Sequence, residues 1–329
     1  MKLINNLMKH LKVYYSIFLH IDKKIGILLF YNFIKLRLSN NKKKEKYYTY
    51  KHNIIKNYLY NNYKYIYDKY KNYDNEFHSS KDSNPYPQTI WIYWDDDNNL
   101  PSIVSRCIKQ AQKYNPEYNV RLVSYTNFTQ YCDIPSYIIE KYQTKKISKT
   151  HFSDIIRIYL LKNYGGMYMD ATILQTNYLP QSYFSYDFFS IKINLNDNAI
   201  ISQGRWCVFF IICKANNICM NILWELMTEY WKKETVIIDY LWLDYFLDIC
   251  YEHLPQIKKI IDQIPYSNKD IFLINKNINS KFSKETYLNT FKRKDTYLFK
   301  MSYKSINKVP EFLDNKIPSI KWFIINQDI

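Results

Sequence analysis

Glycine is scarce in this chain, with only 4 among 329 residues. Glycine adopts backbone conformations that are closed to other residues, so a sequence that avoids it should keep it where the geometry leaves few alternatives. Two of the four are adjacent, Gly165 and Gly166. We therefore expect a constrained backbone at this pair.

Patterns for disulfides and metal clusters are also missing. The six cysteines form no Cys-x-x-Cys pair and several lie in apolar runs, so we expect buried thiols. The six histidines show no metal-binding spacing, which gives a zinc site little support. Since no secretion signal is recognisable, a reducing cytoplasmic location is the simplest expectation.

The apolar run at residues 25–34 is too short to span a bilayer, which takes about 20 residues. A cleavable signal peptide fits poorly, because Lys-rich and Tyr-rich sequence follows the run. Residues 1–80 carry 16 Lys and Arg against 5 Asp and Glu, most of the total charge of +16. Two interpretations stay open: a basic, partly amphipathic helical segment resting on the cytoplasmic face of a membrane, or a solvated helical extension.

What the chain has in abundance is apolar and aromatic residues. Hydrophobic residues make up 47% and aromatic residues 18%, so most of the chain should bury a core. Tyr, Asn, Lys and Ile dominate throughout, which indicates an AT-rich microbial genome, such as a bacterial one. Pro85 and Pro87, among small polar residues, predict a linker near residues 79–87. We expect a basic helical N-terminal extension over 1–80 and a single domain over 85–329.

The domain begins with an alternation of strand and helix. Residues 89–94 predict a buried strand, residues 101–114 a helix, and residues 119–125 a second strand. This βαβ pattern favours an α/β fold with a mostly parallel sheet flanked by helices. In such folds ligands bind beyond the carboxyl ends of the strands.

Residues 152–164 predict a helix that ends where Gly165 can cap it. Asp154 and Arg157 are three residues apart, so both lie on one face of this helix. They form either a salt bridge or a joint contact to a polar ligand.

After Gly166 the pattern changes to a strand that carries Asp170 and Thr172 on one face. An unpaired buried carboxylate costs several kcal/mol, so Asp170 needs a cation, strong donors or the exposed end of the strand. A divalent metal that holds a diphosphate would satisfy it. The alternative is an aspartate that caps a turn.

Together these residues form a recognisable motif. Ser153-Asp154-x-x-Arg157, then Gly165-Gly166, then a strand ending in Asp170-Ala171-Thr172, resembles the glycosyltransferase family with the DXD sugar-binding region. The closest likeness is to its capsular polysaccharide synthesis branch. The resemblance covers about residues 88–305 and leaves residues 1–80 unmatched.

The resemblance implies a GT-A-type, Rossmann-like fold and a nucleotide-sugar-dependent glycosyltransferase of the hexosyltransferase kind. The donor is a nucleotide diphosphate sugar, and the acceptor is a polysaccharide, oligosaccharide or glycolipid in surface or capsular polysaccharide biosynthesis. Transfer would retain the anomeric configuration.

The resemblance also assigns roles to residues. Catalysis would depend on Asp154, Arg157 and Asp170. The residues implied in donor binding are Trp91, Trp94, Asp154, Arg157, Gly165, Gly166 and Thr172, with a tryptophan against the base.

Asp170 and Thr172 would hold a divalent metal, Mn²⁺ or Mg²⁺. The sequence departs from the DXD motif here, because Thr172 stands where the second Asp is usual and a hydroxyl is a poorer ligand. Asp244 is a possible further ligand, or simply an exposed aspartate on an amphipathic helix. For four basic residues, two alternatives stay open: they approach the diphosphate, or they are surface charges. They are Lys292, Arg293, Lys294 and Lys300.

Two rival classes remain. A catalytically inactive relative could bind sugar nucleotides as a scaffold. A nucleic-acid-binding protein would explain the basic N-terminus and the many tyrosines. Since the charge lies mostly outside the core domain, we expect no nucleic acid partner.

Overall fold

A computed structural model of the chain describes residues 2–71, 88–195, 197–327 and 329. The linker predicted near residues 79–87, and with it the boundary between extension and domain, lies outside the described residues.

Helices make up most of the regular structure. In chain order the α-helices are α1 (Lys2–His20), α2 (Lys23–Leu38), α3 (Asn41–Lys71), α4 (Ser102–Lys113), α5 (Ser136–Gln143), α6 (Lys149–Tyr164), α7 (Ile218–Lys233), α8 (Trp242–His253), α9 (Pro255–Asp262), α10 (Leu273–Asn277), α11 (Lys284–Phe291), α12 (Tyr303–Ile306) and α13 (Ile320–Asn326).

The strands form one central sheet and two small ones. In chain order they are β1 (Thr89–Tyr93), β2 (Asn119–Val123), β3 (Gly166–Met169), β4 (Ile173–Gln175), β5 (Phe188–Ser190), β6 (Phe210–Cys213), β7 (Leu298–Lys300), β8 (Phe312–Leu313) and β9 (Ile317–Pro318). The central order is β2-β1-β3-β6-β5, and β4 pairs with β7 and β8 with β9. Only β6 runs against the other four central strands, so the predicted α/β fold with a mostly parallel sheet is confirmed.

The predicted strand through Asp170 is wrong in its extent. β3 ends at Met169, and the backbone N–H of Ile173 donates to the carbonyl oxygen of Asp170 at 2.9 Å, which closes a turn. The chain then enters β4, which pairs with β7 outside the central sheet. Asp170 therefore lies just beyond the carboxyl end of a buried strand.

The predicted helical character of the N-terminal segment is confirmed by α1, α2 and α3. The side chains of Ile55, Leu59 and Tyr63 on α3 are fully buried. Lys56 on α3 forms an ion pair with Asp248 of α8 at 3.0 Å. The third helix of the extension is thus part of the core.

Two further expectations can be compared with the structure. All six cysteines are buried free thiols, as predicted. Among the helices of the described residues, none combines the length and the apolar character needed to cross a bilayer.

Candidate functional site

A cleft of about 600 Å³ opens where β1 and β3 end. The loop after β1, the first turns of α6, the turn after β3 and the segment around β7 all contribute side chains to it. This is the edge at which parallel α/β sheets bind ligands. The sheet topology thus determines where the cleft lies, and the polar side chains that line the cleft determine what it can bind.

Arg157 joins the two acidic residues of the sequence motif. Its guanidinium donates to Asp154 Oδ1 and to Asp170 Oδ1, each at 2.8 Å. It also lies 4.5 Å from the ring centre of Tyr168, and its side chain is 5% exposed. The helix α6 thus presents Arg157 to the end of β3, and the motif residues form one connected group.

Asp154 lies behind this group. It is buried, and it is absent from the residues that line the cleft, whereas Arg157 and Asp170 line it. Burial raises the pKa of the Asp154 carboxyl, against the opposing effect of Arg157. In this structure Asp154 contacts Arg157 and is positioned to orient it.

Lys300 completes the group from the far end of the chain. It lies on β7 opposite Ile173 of β4. Its ammonium donates to Asp170 Oδ2 at 2.5 Å and to Thr172 Oγ1 at 2.8 Å. Burial would raise the pKa of Asp170, but Lys300 and Arg157 outweigh that effect and hold the pKa below its usual value. Asp170 is therefore ionised and already paired with two cations.

The rim of the cleft is aromatic and basic. Trp94 and Tyr303 line it with an edge-to-face contact of 5.1 Å between ring centres. Lys149 also lines it and pairs with Asp95 at 2.6 Å. Sequence reasoning missed Tyr303, Lys149 and Asp95 as site residues. The signal for Asp95 was its place directly after the predicted strand of residues 89–94, at the same edge of the sheet as Asp170.

The structure places Trp91 away from the cleft. The side chain of Trp91 is 5% exposed, and its indole N–H donates to the carbonyl oxygen of Gly165 at 3.0 Å. It packs on Tyr131 and Tyr164 and does not line the cleft. Trp91 sits in mid-strand, where its side chain turns to the helical layer, whereas Trp94 follows the strand and reaches the cleft.

The two glycines also lie away from the cleft. Gly166 begins β3, so the whole strand separates the pair from Asp170. Gly165 has φ of +65° and ends α6, and a Cβ there would lie 2.5 Å from the backbone nitrogen of Ala215. The donor-binding role predicted for Gly165 and Gly166 is not supported. Their role is to let the chain turn from α6 into β3 under tight packing.

The metal site predicted at Asp170 and Thr172 does not fit the donor set. Mg²⁺ and Mn²⁺ need free oxygen ligands, usually with one or two carboxylates. Here both oxygens of Asp170 accept from cations, and the Thr172 hydroxyl accepts from Lys300. Among the residues that the structure describes, no group of three or more His, Cys, Asp or Glu side chains is arranged to hold a metal.

Asp244 does not supply the missing ligand. It lies in the first turn of α8, accepts from the indole N–H of Trp206 at 2.9 Å and does not line the cleft. Burial, assisted by the negative charge of Asp154, raises its pKa to about 7.

Of the other predicted basic residues, Arg293 pairs with Asp270 and Asp295, and Lys292 lies over the ring of Tyr287. Neither lines the cleft, nor does Lys294. Of the four predicted basic residues, only Lys300 lines the cleft.

The fold and the cleft define an α/β protein with a basic, aromatic-rimmed ligand site at the carboxyl ends of its parallel strands. The chain matches the family model described as "Capsular polysaccharide synthesis protein" over residues 36–315, and it belongs to that family. The match confirms the family that the sequence motif resembled. It begins within α2, earlier than residue 88, where the resemblance in the sequence began.

Two solved structures show distant likeness. One is the "PaToxG Glycosyltransferase", with 19% identity and a TM-score of 0.38, covering 64% of this chain and 83% of that chain. The other is the bacterial N-acetylglucosamine transferase NleB, with 10% identity and a TM-score of 0.30, covering 65% and 94%. Likeness at this level carries no argument about activity. No curated protein matches the chain.

Proposed function

We propose that this protein is a glycosyltransferase on a GT-A-type fold, which moves a sugar from a nucleotide diphosphate sugar to a glycan or glycolipid acceptor in surface or capsular polysaccharide biosynthesis. The observation that carries the proposal is the cleft in which Arg157, Lys300 and Asp170 meet at the end of β3. Membership of the capsular polysaccharide synthesis family supports it.

The cations suit the chemistry of sugar transfer. The bond between the anomeric carbon and the diphosphate oxygen breaks, a bond to the acceptor hydroxyl oxygen forms, and the departing diphosphate takes up the hydroxyl proton. Negative charge develops on the diphosphate, so cations held in place beforehand stabilise the transition state more than the ground state. We assign this task to Arg157 and Lys300, and no protein nucleophile is required. Retention of configuration is what the family resemblance implies.

The rim suits the nucleotide. The indole of Trp94, which lines the cleft beside Tyr303, offers an apolar surface on which a base can stack. We assign base recognition to Trp94 in place of Trp91. Asp154 acts through Arg157, which it orients. We assign the transferase domain to residues 85–329 together with α3 of the N-terminal extension, because α3 is buried against the same core.

A panel of nucleotide sugars tests the proposal. Each is added to the full chain with and without Mn²⁺, and thermal unfolding and release of nucleoside diphosphate are measured. At least one donor should raise the melting temperature and release its diphosphate, faster when a glycan or glycolipid acceptor is present. Binding without any release would favour the inactive scaffold. If no donor binds under either condition, the proposal is wrong.

We also propose that α1 and α2 rest on the anionic cytoplasmic face of a membrane. Nine of the seventeen large apolar side chains that are exposed within the described residues lie on these two helices. They are Leu7, Met8, Val13, Tyr15, Leu19, Ile27, Phe30, Tyr31 and Leu38. Residues 2–38 carry seven Lys and Arg against one Asp. Exposed apolar groups with basic neighbours are typical of interfacial helices.

Vesicle cosedimentation tests this contact. The wild-type chain should sediment with vesicles that contain phosphatidylglycerol and not with pure phosphatidylcholine, because the basic residues need anionic lipid. A variant with Ile27→Glu and Leu38→Glu should lose this binding. The control is Leu288→Glu on α11, where a leucine that is 51% exposed, close to the 56% of Ile27, lies outside the two helices. Equal loss in both variants would contradict the membrane contact.

A further inference from the structure

The position of Lys300 is fixed by the backbone. It pairs with Ile173 across β4 and β7, and its backbone N–H donates to the carbonyl oxygen of Ile271 at 2.8 Å. Its ammonium also lies 5.3 Å from the ring centre of Phe209, and the side chain is only 22% exposed. Lys300 is therefore a fixed component of the cleft floor and differs from a mobile surface lysine.

The ammonium contacts the same two side chains to which the family resemblance assigns a metal. It donates to Asp170 Oδ2 and to Thr172 Oγ1, at 2.5 and 2.8 Å. An ammonium has three N–H donors, so these contacts leave one for a ligand in the cleft. A hydroxyl at residue 172 accepts from an ammonium without adding the second negative charge that would help to recruit a divalent ion.

The charges of the cleft fit an anionic ligand without a metal. Four cationic side chains line it, Arg157, Lys149, Lys300 and Lys304, against three carboxylates, Asp95, Asp96 and Asp170. Asp170 is paired with both Arg157 and Lys300, and Asp95 with Lys149. The lining therefore carries one more cation than carboxylate, which favours an anionic ligand such as a diphosphate.

We propose that this protein binds the diphosphate of its donor without a divalent metal, and that the Lys300 ammonium occupies the place of the metal ion. The inference rests on the proposed function, since it names how the same cleft holds the donor. Lys300 both neutralises Asp170 and contacts the diphosphate, and Thr172 is the neutral partner that this arrangement needs.

Calorimetry tests whether the diphosphate binds without a metal. Nucleoside diphosphates are titrated into the full chain, once in EDTA and once in Mn²⁺. The nucleotide that binds should do so with a Kd that differs by less than about threefold between the two buffers. A nucleotide that binds in Mn²⁺ and is lost in EDTA would overturn the inference and leave the proposed function standing. If no nucleotide or nucleotide sugar binds in either buffer, both fall. This comparison uses the wild-type chain and does not depend on the folding of a variant.

Substitutions of Lys300 and Thr172 test whether the Lys300 ammonium takes the place of the metal ion. Lys300→Met should weaken binding in EDTA by about tenfold or more, whereas Lys294→Met, an exposed lysine outside the cleft, should leave it unchanged. The double variant Thr172→Asp with Lys300→Met provides two carboxylates and no ammonium, so its nucleotide binding should become dependent on Mn²⁺. Binding of Lys300→Met in EDTA as tight as that of the wild type would show that Lys300 does not take the place of the metal.

Discussion

Arg157 holds together the residues of the site. It lies between Asp154 and Asp170, stacks over Tyr168 and is almost completely buried. The two carboxylates would repel each other without the guanidinium between them. Asp154 is buried, whereas Asp170 lines the cleft and also pairs with Lys300. The arginine therefore has a structural role in addition to its proposed contact with the donor.

Replacing Arg157 with Met should lower the free energy of unfolding by about 3–5 kcal/mol, because it leaves both carboxylates without their shared cation. Adding Asp154→Asn to this variant should restore part of the loss, since the neutral amide needs no cation. Urea unfolding monitored by circular dichroism measures both effects. A single variant as stable as the wild type would mean that Arg157 serves donor binding alone.

Asp244 should make stability depend on pH. Burial raises its pKa from 3.8 to about 7 in the folded state, so the folded chain keeps this proton when the unfolded chain has lost it. Ionisation thus costs stability progressively as pH rises from about 4 through 7. Asp244→Asn removes this cost and keeps an oxygen that can accept from Trp206.

The asparagine variant should be more stable than the wild type by about 2–4 kcal/mol at pH 8. The advantage should shrink as the pH falls towards 4, where the wild-type carboxyl is protonated in both states. Denaturant unfolding across this pH range measures the difference. An advantage that stays constant with pH would indicate a repacking effect unrelated to ionisation.

At the scale of elements, the connection between α6 and β3 sets the geometry of the site. The hydroxyl of Ser148 caps α6 by accepting from the backbone N–H of His151, and Gly165 ends the helix with a positive φ of +65°. Strand β3 then starts at once with Gly166. This short turn aligns Arg157 in the middle of the helix with Asp170 at the end of the strand.

Gly165→Ala should destabilise the protein by at least about 1–3 kcal/mol, because the alanine would have a positive φ and its Cβ would press on Ala215. Lys162→Ala, one turn earlier on the same helix, is the control and should change stability by less than about 1 kcal/mol. Thermal unfolding compares the two. A Gly165→Ala variant as stable as this control would contradict the strained geometry of the turn.

At the scale of the whole molecule, α3 covers the helices α7 and α8. Its buried side chains include Ile55, Leu59 and Tyr67, and Lys69 pairs with Glu225 of α7 at 2.7 Å. His52 on the same helix contacts the hydroxyl of Tyr245 on α8 at 2.7 Å. The family match from residue 36 includes this buried helix.

Removing residues 1–38 should leave a chain that unfolds cooperatively, because α3 still covers the core. Removal of residues 1–71 should give aggregated or molten protein, because the apolar faces of α7 and α8 lose their cover. Size-exclusion chromatography and differential scanning calorimetry distinguish the two truncated chains by their oligomeric state and unfolding transition. A stable, monomeric chain without α3 would show that the helix is an accessory of the domain.

The sequence alone determined the parts of this protein that depend on local spacing. Periodicity predicted β1, α4, β2 and α6, since a helix or strand repeats its buried side chains at short, regular intervals. The spacing of Asp154 and Arg157 placed both residues on one face of a helix, with a salt bridge as one of two alternatives, and the structure shows that salt bridge. The motif that they share with Asp170 predicted the family.

Only the tertiary structure decided which distant residues meet and which way a side chain turns. Lys300 reaches Asp170 across 130 residues of sequence, through the pairing of β4 with β7, and no local pattern encodes that contact. Trp91 and Trp94 look alike in the sequence, but one faces the helical layer and the other lines the cleft. The physical reason is that the spacing of residues along the chain determines which side chains share one face of a helix or strand. Packing between elements that are distant in the sequence determines which residues that face contacts.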